Sequence, residues 1–264
     1  MRGDSLQQSS IQQDSEASRV AIVTGAGSGI GRASALRLAT DGYRVTLAGR
    51  REAALKETAE LIGGSAALIA VCDVTDVDAV KAMVAATVRR FGRIDVVVNN
   101  AGVSRTGAFL DVTVAEWREV MAADVESIVL VTQAALPFLL ERGGSVVNVA
   151  SVAGLGGDPG MSVYNTAKGA VVNLTRSLAV ELAGRGVRVN AVAPSLTSTD
   201  ATADIPADDV AEFLRRIPMG RAAEPAEVAD VIAFLAGSDA RFVTGVVLPI
   251  DGGLRASSGQ PPHR

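Results

Sequence analysis

Tyr164 and Lys168 stand four residues apart in the run Tyr164-Asn165-Thr166-Ala167-Lys168, with Ser151 upstream of them. On an α-helix, residues four apart share a face, so one surface presents a phenol beside an ammonium. A phenol alone, with a pKa of about 10, is a poor acid or base near neutrality. A neighbouring cation favours the phenolate and draws that pKa towards working pH. The rest of the chain sharpens the reading by exclusion. The one histidine, His263, is the penultimate residue, and the one cysteine is Cys72. No Ser-His-Asp or Cys-His machinery and no His/Cys metal cage can be assembled from these. Cys72, between Val71 and Asp73 at the end of a strand candidate, reads as core rather than nucleophile. For acid-base chemistry the natural candidate is Tyr164.

A second constellation lies near the N-terminus: Thr24-Gly25-Ala26-Gly27-Ser28-Gly29-Ile30-Gly31. It comes directly after the first strand candidate and opens the first helix, the context in which glycines let backbone amides approach a pyrophosphate. Ile30 occupies the third glycine's place, so the spacing is T-G-x-x-x-G-x-G. Gly25, Ser28, Gly29, Ile30 and Gly31 are the candidate contacts, and a tight turn with no ligand is the plainer alternative. The residues after the second strand select the dinucleotide. A carboxylate about 20 positions past the glycines suits ribose hydroxyls, whereas arginine suits a 2′-phosphate. Here Gly49 stands in the carboxylate's place, and Arg50 and Arg51 come next. Two cations at a helix start oppose its dipole, so a phosphate partner explains them better than solvent does. The reading is NADP over NAD.

These groups need elements to position them. Short β-branched runs at Val20–Val23, Val45–Ala48, Ala67–Cys72, Asp95–Val98, Ser145–Val149, Val187–Ala193 and Val246–Ile250 alternate with helical stretches. Thr75-x-x-Asp78 and Thr113-x-x-Glu116 have capping-box spacing. Val171, Leu174, Leu178 and Leu182 lie on one stripe of the helix that continues from Lys168. The pattern predicts an α/β fold: a single-domain, Rossmann-type, doubly wound parallel sheet of about seven strands with helices on both faces. That domain spans residues 19–254, between an N-terminal tail at 1–18 and a C-terminal tail at 255–264. Hydrophobic residues make up 48% of the 264-residue chain and aromatics 3%, the aliphatic bias of a sheet covered on both sides. A net charge of −4 gives no reason to expect nucleic acid or an anionic membrane as partner. No run approaches the roughly 18 uninterrupted apolar residues of a membrane span. A lone cysteine suits a reducing, cytoplasmic setting.

With these motifs in order, the chain resembles the short-chain dehydrogenase/reductase family from Val20 to about Leu254. Asp73-Val74, Asn99-Asn100-Ala101-Gly102, Pro194, Arg221, Glu227 to Ala229 and Asp251-Gly252-Gly253 extend the likeness. The resemblance implies that Asp73 and Val74 hold the adenine, and that Asn100, Ala101 and Gly102 flank the adenosine ribose. It implies that Lys168 binds the nicotinamide ribose, the backbone at Thr197 the carboxamide, and Thr199 the region of the pyrophosphate. Ser151 would donate to the substrate carbonyl while Tyr164 supplies the proton. A homotetramer is also implied. Asp73 as a loop cap, Asn99-Asn100 as turn residues and Ser151 as an ordinary buried hydroxyl are the alternatives.

The chain departs from the family pattern twice. Ser195 comes after Pro194 where glycine is usual, and Asp124 stands where the catalytic tetrad has asparagine. The leading expectation is an NADP-dependent enzyme interconverting a small-molecule ketone and a secondary alcohol. A 3-oxoacyl-carrier-protein reductase is the more specific version, with Arg142 and Arg185 at positions resembling those that meet the acyl carrier protein. The competing expectation is an NADP-binding redox sensor or scaffold, impaired in turnover by Asp124. The segments Val152 to Val163 and Leu196 to Gly220 are expected to line the substrate pocket, the latter as a mobile lid with a helix near Asp208–Ile217.

Overall fold

The computed structural model describes residues 18–258. The expected N-terminal tail up to residue 17 and most of the C-terminal one lie outside those residues. The start of the latter is ordered: Leu254–Ala256 forms a 3₁₀ turn, and Gly253 and Arg255 donate their backbone N–H groups to the Asp251 carboxylate at 3.0 and 2.9 Å.

The β-branched runs form seven parallel strands: β1 Val20–Thr24, β2 Arg44–Gly49, β3 Ala67–Val71, β4 Val96–Asn99, β5 Ser145–Val149, β6 Arg188–Pro194 and β7 Val247–Ile250. Their order across the sheet is β3-β2-β1-β4-β5-β6-β7. Each lies within about a residue or two of its expected ends, the usual fraying of such boundaries. All five residues of β1 are buried. Ala21 and Val23 pack into one core layer and Ile22 into the opposite one, as the two-residue period of a strand dictates. Continuous apolar strands are therefore what a sheet covered on both faces requires.

Eight α-helices occur among the described residues: α1 Gly29–Thr40, α2 Glu52–Ile62, α3 Val77–Phe91, α4 Val114–Met121, α5 Ser127–Arg142, α6 Ser162–Ala183, α7 Ala207–Arg216 and α8 Pro225–Ala236. Leu38 of α1, Leu55 of α2 and Ile232 of α8 join one core layer. Met83 of α3, Leu139 of α5 and Leu182 of α6 join the other. By length and composition the stretch Val114–Arg142 could cross a membrane. Here it is interrupted by a π-helical turn at Ala122–Glu126, contains Pro137, and buries Ile128, Val131, Ala135 and Leu139.

Strand order reverses between β1 and β4, so their carboxyl ends open the crevice where α/β folds bind ligands. A buried polar ladder runs across the sheet beside it. Asn99 Nδ2 donates to Thr132 Oγ1 at 3.1 Å and to Asn148 Oδ1 at 2.9 Å, and Asn148 Nδ2 donates to Thr175 Oγ1 at 2.9 Å. Buried amides cost free energy unless paired, so these bonds penalise any slip of β4 against β5.

Two local expectations are corrected. Thr75 does not cap α3: Asp76 does, accepting from the backbone of Asp78 at 2.8 Å and Ala79 at 3.1 Å, while Thr75 is bonded to Asp73. One more residue of turn was needed to leave β3. On α6 the buried stripe is centred on Val171, Thr175, Ala179 and Leu182, with Leu174 and Leu178 only half-buried at its edge. The Thr113–Glu116 capping box forms as expected. Asp76→Ala and Thr113→Ala should therefore each cost about 1 kcal/mol of stability, and Thr75→Ala clearly less. Urea unfolding midpoints of the three variants check this.

Candidate active site

Tyr164 falls in the first turn of α6 and Lys168 in the next, at the carboxyl edge of the sheet. Lys168 is buried, and its Nζ lies 5.6 Å from the centre of the Tyr164 ring. Ser151, just past β5, is in extended conformation and starts a 3₁₀ segment, Val152–Leu155. Its Oγ accepts the Ala153 N–H at 3.2 Å and donates to the Pro194 carbonyl at 3.4 Å. That segment is pressed against α6. A Cβ on Gly154 would stand 2.5 Å from the Lys168 carbonyl, so only glycine allows the approach. Ser151, Tyr164 and Lys168 are thus gathered from two elements.

Lys168 Nζ donates to the Val149 carbonyl at 3.1 Å and forms an ion pair with Asp124 Oδ2 at 2.9 Å. The two side chains are 7% and 0% exposed. Asp124 Oδ1 accepts the Val103 N–H at 2.7 Å. Asp124 sits in the π turn, whose extra residue per turn swings this side chain inward; such turns recur at functional sites. A Cβ on Gly102 would stand 2.9 Å from Asp124 Oδ2, so Gly102 makes room for the carboxylate. Burial is the largest influence on the ammonium and works to lower its pKa. The Tyr164 oxygen and Asp124 together outweigh it, and the net shift is upward.

The glycine turn lies across the crevice. Gly25 and Gly29 have positive φ, and a Cβ on Gly31 would stand 2.2 Å from the Gly25 carbonyl. Ser28 precedes α1 without a side-chain cap bond, and the first turn of α1 holds no acidic residue. Its leading N–H groups therefore have the free polarity that a pyrophosphate satisfies. The fit extends outward. Thr24 Oγ1 accepts the N–H groups of Asn100 and Ala101 at 2.9 and 3.0 Å, and Asn100 Nδ2 donates to the Thr24 carbonyl at 2.9 Å, strapping the β4 loop to the turn. Thr199 stands over Gly29, where an added Cβ would meet its Cγ2 at 3.1 Å. Thr197 is buried and bridges to Ala223, just beyond Pro194. Ile30 is half-buried against the core.

On the far side, Arg51 donates to Ser28 Oγ at 2.8 Å, so one expected cation already reaches the glycine turn. Arg50 is exposed nearby. Asp73 Oδ1 accepts the Thr75 N–H and hydroxyl at 3.0 and 2.8 Å; these bonds foremost, then the Arg50 charge, hold its carboxyl below the usual range. Val74 is buried beside it. Cys72 is core, as expected, and burial pushes its thiol up to about 11.

Arg142 and Arg185 are not brought to this crevice. They end α5 and precede β6, at the amino edge of the sheet, where the glycines next to them meet: a Cβ on Gly143 would stand 3.0 Å from the Gly186 carbonyl. Sequence reasoning also missed four supports of the site: the Val149 carbonyl, the Val103 N–H, Gly154 and the Thr24 hydroxyl. Of these only Thr24 carried a signal, as the polar head of the glycine turn.

The family described as Enoyl-(Acyl carrier protein) reductase matches residues 25–255. The chain is 45% identical over 243 residues to meso-2,3-butanediol dehydrogenase of Serratia marcescens, covering 92% of this chain and 97% of that one. Levodione reductase superposes with a TM-score of 0.87 at 38% identity, covering 90% of this chain and 98% of that one. A 3-ketoacyl-(acyl-carrier-protein) reductase from Brucella melitensis, solved with NADH, gives 0.84 at 35% identity, over 89% and 98% of the two chains. The chain belongs to the short-chain dehydrogenase/reductase family and is an oxidoreductase acting on CH–OH groups with a nicotinamide cofactor.

Gly31→Ala forces a methyl group into the Gly25 backbone. It should cost about 1–3 kcal/mol while sharply weakening dinucleotide binding, measured by thermal unfolding and cofactor fluorescence titration. Folding raises the Lys168 pKa above its usual 10.5, so its ionised form stabilises the fold fully below that pH and the contribution fades as pH rises through the folded value. The stability gap between wild type and Lys168→Met should accordingly shrink in urea titrations carried above pH 10.5.

Proposed function

We propose that this chain is an NADP(H)-dependent oxidoreductase that interconverts a ketone or 3-oxoacyl group and a secondary alcohol, with Tyr164 as general acid and base. The observation that carries this reading is the gathering of Ser151, Tyr164 and Lys168 at the crevice that also holds the uncapped N-terminus of α1. When bound, the nicotinamide nucleotide supplies or accepts the hydride. Ser151 orients the carbonyl oxygen by donating a hydrogen bond to it. Tyr164 gives that oxygen a proton in reduction and removes it in oxidation. Lys168 holds the nicotinamide ribose and keeps a positive charge beside the phenol.

The preference for NADP is supported by Arg51, which donates to Ser28 at the glycine turn, and by the exposed Arg50 next to it. Gly49 offers no carboxylate to compete. Charge-assisted hydrogen bonds contribute roughly 1.5–3 kcal/mol each. Arg50→Ala and Arg51→Ala should therefore each weaken NADPH binding by about one to two decades and leave NADH binding nearly unchanged. Dissociation constants of both cofactors for the three proteins measure this, and a preference that survives both substitutions removes the assignment.

Turnover is tested by mixing the protein with NADPH and a panel of small ketones and 3-oxoacyl thioesters while tracking nicotinamide absorbance. Tyr164→Phe should abolish turnover and keep cofactor affinity, because the ring stays and the transferable proton goes. Asp124, in place of the family's asparagine, favours a second reading as an NADP-binding sensor. In that case no substrate turns over in the wild type.

A further inference from the structure

The buried ion pair between Lys168 and Asp124 gives the site a charge balance that an asparagine could not. We propose that Asp124 is a positioning residue that acts through Lys168 to keep the proton on Tyr164, so that the site reduces carbonyls at neutral pH and oxidises alcohols only in alkaline solution. This rests on the oxidoreductase reading.

The ammonium of Lys168 has three N–H groups to place. One is given to the Val149 carbonyl and another faces Asp124 Oδ2, which leaves one for a ribose hydroxyl. The ammonium that would draw a phenolate onto Tyr164 is thus matched, at 2.9 Å and away from water, by a full negative charge. Charges interact far more strongly out of water than in it, so this counter-charge is not screened away. Asparagine has nearly the same shape and would still accept the Val103 N–H. Charge, rather than packing, is what separates the two residues.

The other charged groups on the elements around Tyr164 and Lys168 are engaged elsewhere or exposed. The 3₁₀ segment Val152–Leu155 contributes none, and β6 contributes only Arg188, at its amino end, where it is bonded to carbonyls at the end of α8. Asp158 in the next loop is engaged by Asn165 Nδ2 at 3.1 Å. Arg255 reaches that loop, where a Cβ on Gly156 would meet its guanidinium at 3.0 Å. From the α4 side, Arg105 is paired with Glu119 at 2.7 Å, Glu116 is tied into the cap of Thr113, and Glu126 of the π turn is exposed. Among the charged groups of the described residues, Asp124 is the one paired with the ammonium.

In reduction, hydride adds to the carbonyl carbon, the C=O π pair moves onto oxygen, and that oxygen takes the Tyr164 hydroxyl proton. The substrate is reduced, the nicotinamide is oxidised, and the phenolate is reprotonated from water. A site that holds the phenol protonated suits this direction. Oxidation must begin from the phenolate, which Asp124 opposes.

The chain contains two tyrosines, which permits a test needing neither substrate nor cofactor. Tyr43 is buried, its hydroxyl has no hydrogen-bond partner, and it lies outside the site, so Tyr43→Phe leaves Tyr164 as the only phenol. In that background the tyrosinate ultraviolet signal is titrated with and without Asp124→Asn. The expected result is a midpoint lowered by about one pH unit or more in the Asn variant, and a matching displacement of the alcohol-oxidation limb to lower pH. Asp124→Ala, in which water can replace the lost acceptor, should shift the midpoint in the same direction. Superimposed titrations in all folded variants overturn the proposal. A shifted phenol without turnover on any substrate would instead overturn the oxidoreductase reading and leave the electrostatic one standing.

Discussion

The buried ammonium of Lys168 is the constraint around which the site is organised. A cation out of water is costly unless paired, and the chain pairs it from two other elements: the carbonyl at the end of β5 and the carboxylate in the π turn. Those partners fix how α6 lies against the sheet. Because Tyr164 is one turn earlier on the same helix, locating the ammonium also locates the phenol. Removing one partner of such a pair is far more damaging than replacing both, so the three elements are held together as a unit.

Close approach of backbones completes the arrangement, and it depends on residues with no side chain. Gly154 lets the segment after Ser151 press against α6, Gly102 makes room for Asp124, and Gly31 lets α1 start directly over the Gly25 carbonyl. Thr24 then ties the glycine turn to the loop after β4 through two backbone amides. The crevice at the glycine turn and the cluster of Ser151, Tyr164 and Lys168 are therefore mechanically continuous. The switch in strand order between β1 and β4 supplies the opening, and these contacts supply its walls.

Asp124 places a carboxylate inside that continuous site, within 2.9 Å of the Lys168 ammonium. Direct pairing to Lys168 gives the residue a defined place, so it belongs to the site rather than to the general surface of its helix.

The sequence by itself determined the seven strands, the glycine turn, the two cations after β2 and the Tyr164–Lys168 pair. Each is a local pattern: a period of two, a period near four, or a fixed spacing between small and polar residues. Local patterns carry such features because backbone geometry acts over one or two turns. The capping of α3 escaped it, since the competition between Thr75 and Asp76 depends on where β3 releases the chain. Only the tertiary structure decided that Asp124 meets Lys168, that Arg51 rather than Arg50 reaches Ser28, and that Arg142 and Arg185 lie at the opposite edge of the sheet from the crevice. Those contacts join residues that the crossovers bring together from distant parts of the chain. No spacing along a sequence encodes them, because the distances are set by how the helices and the turns at the strand ends pack on the sheet.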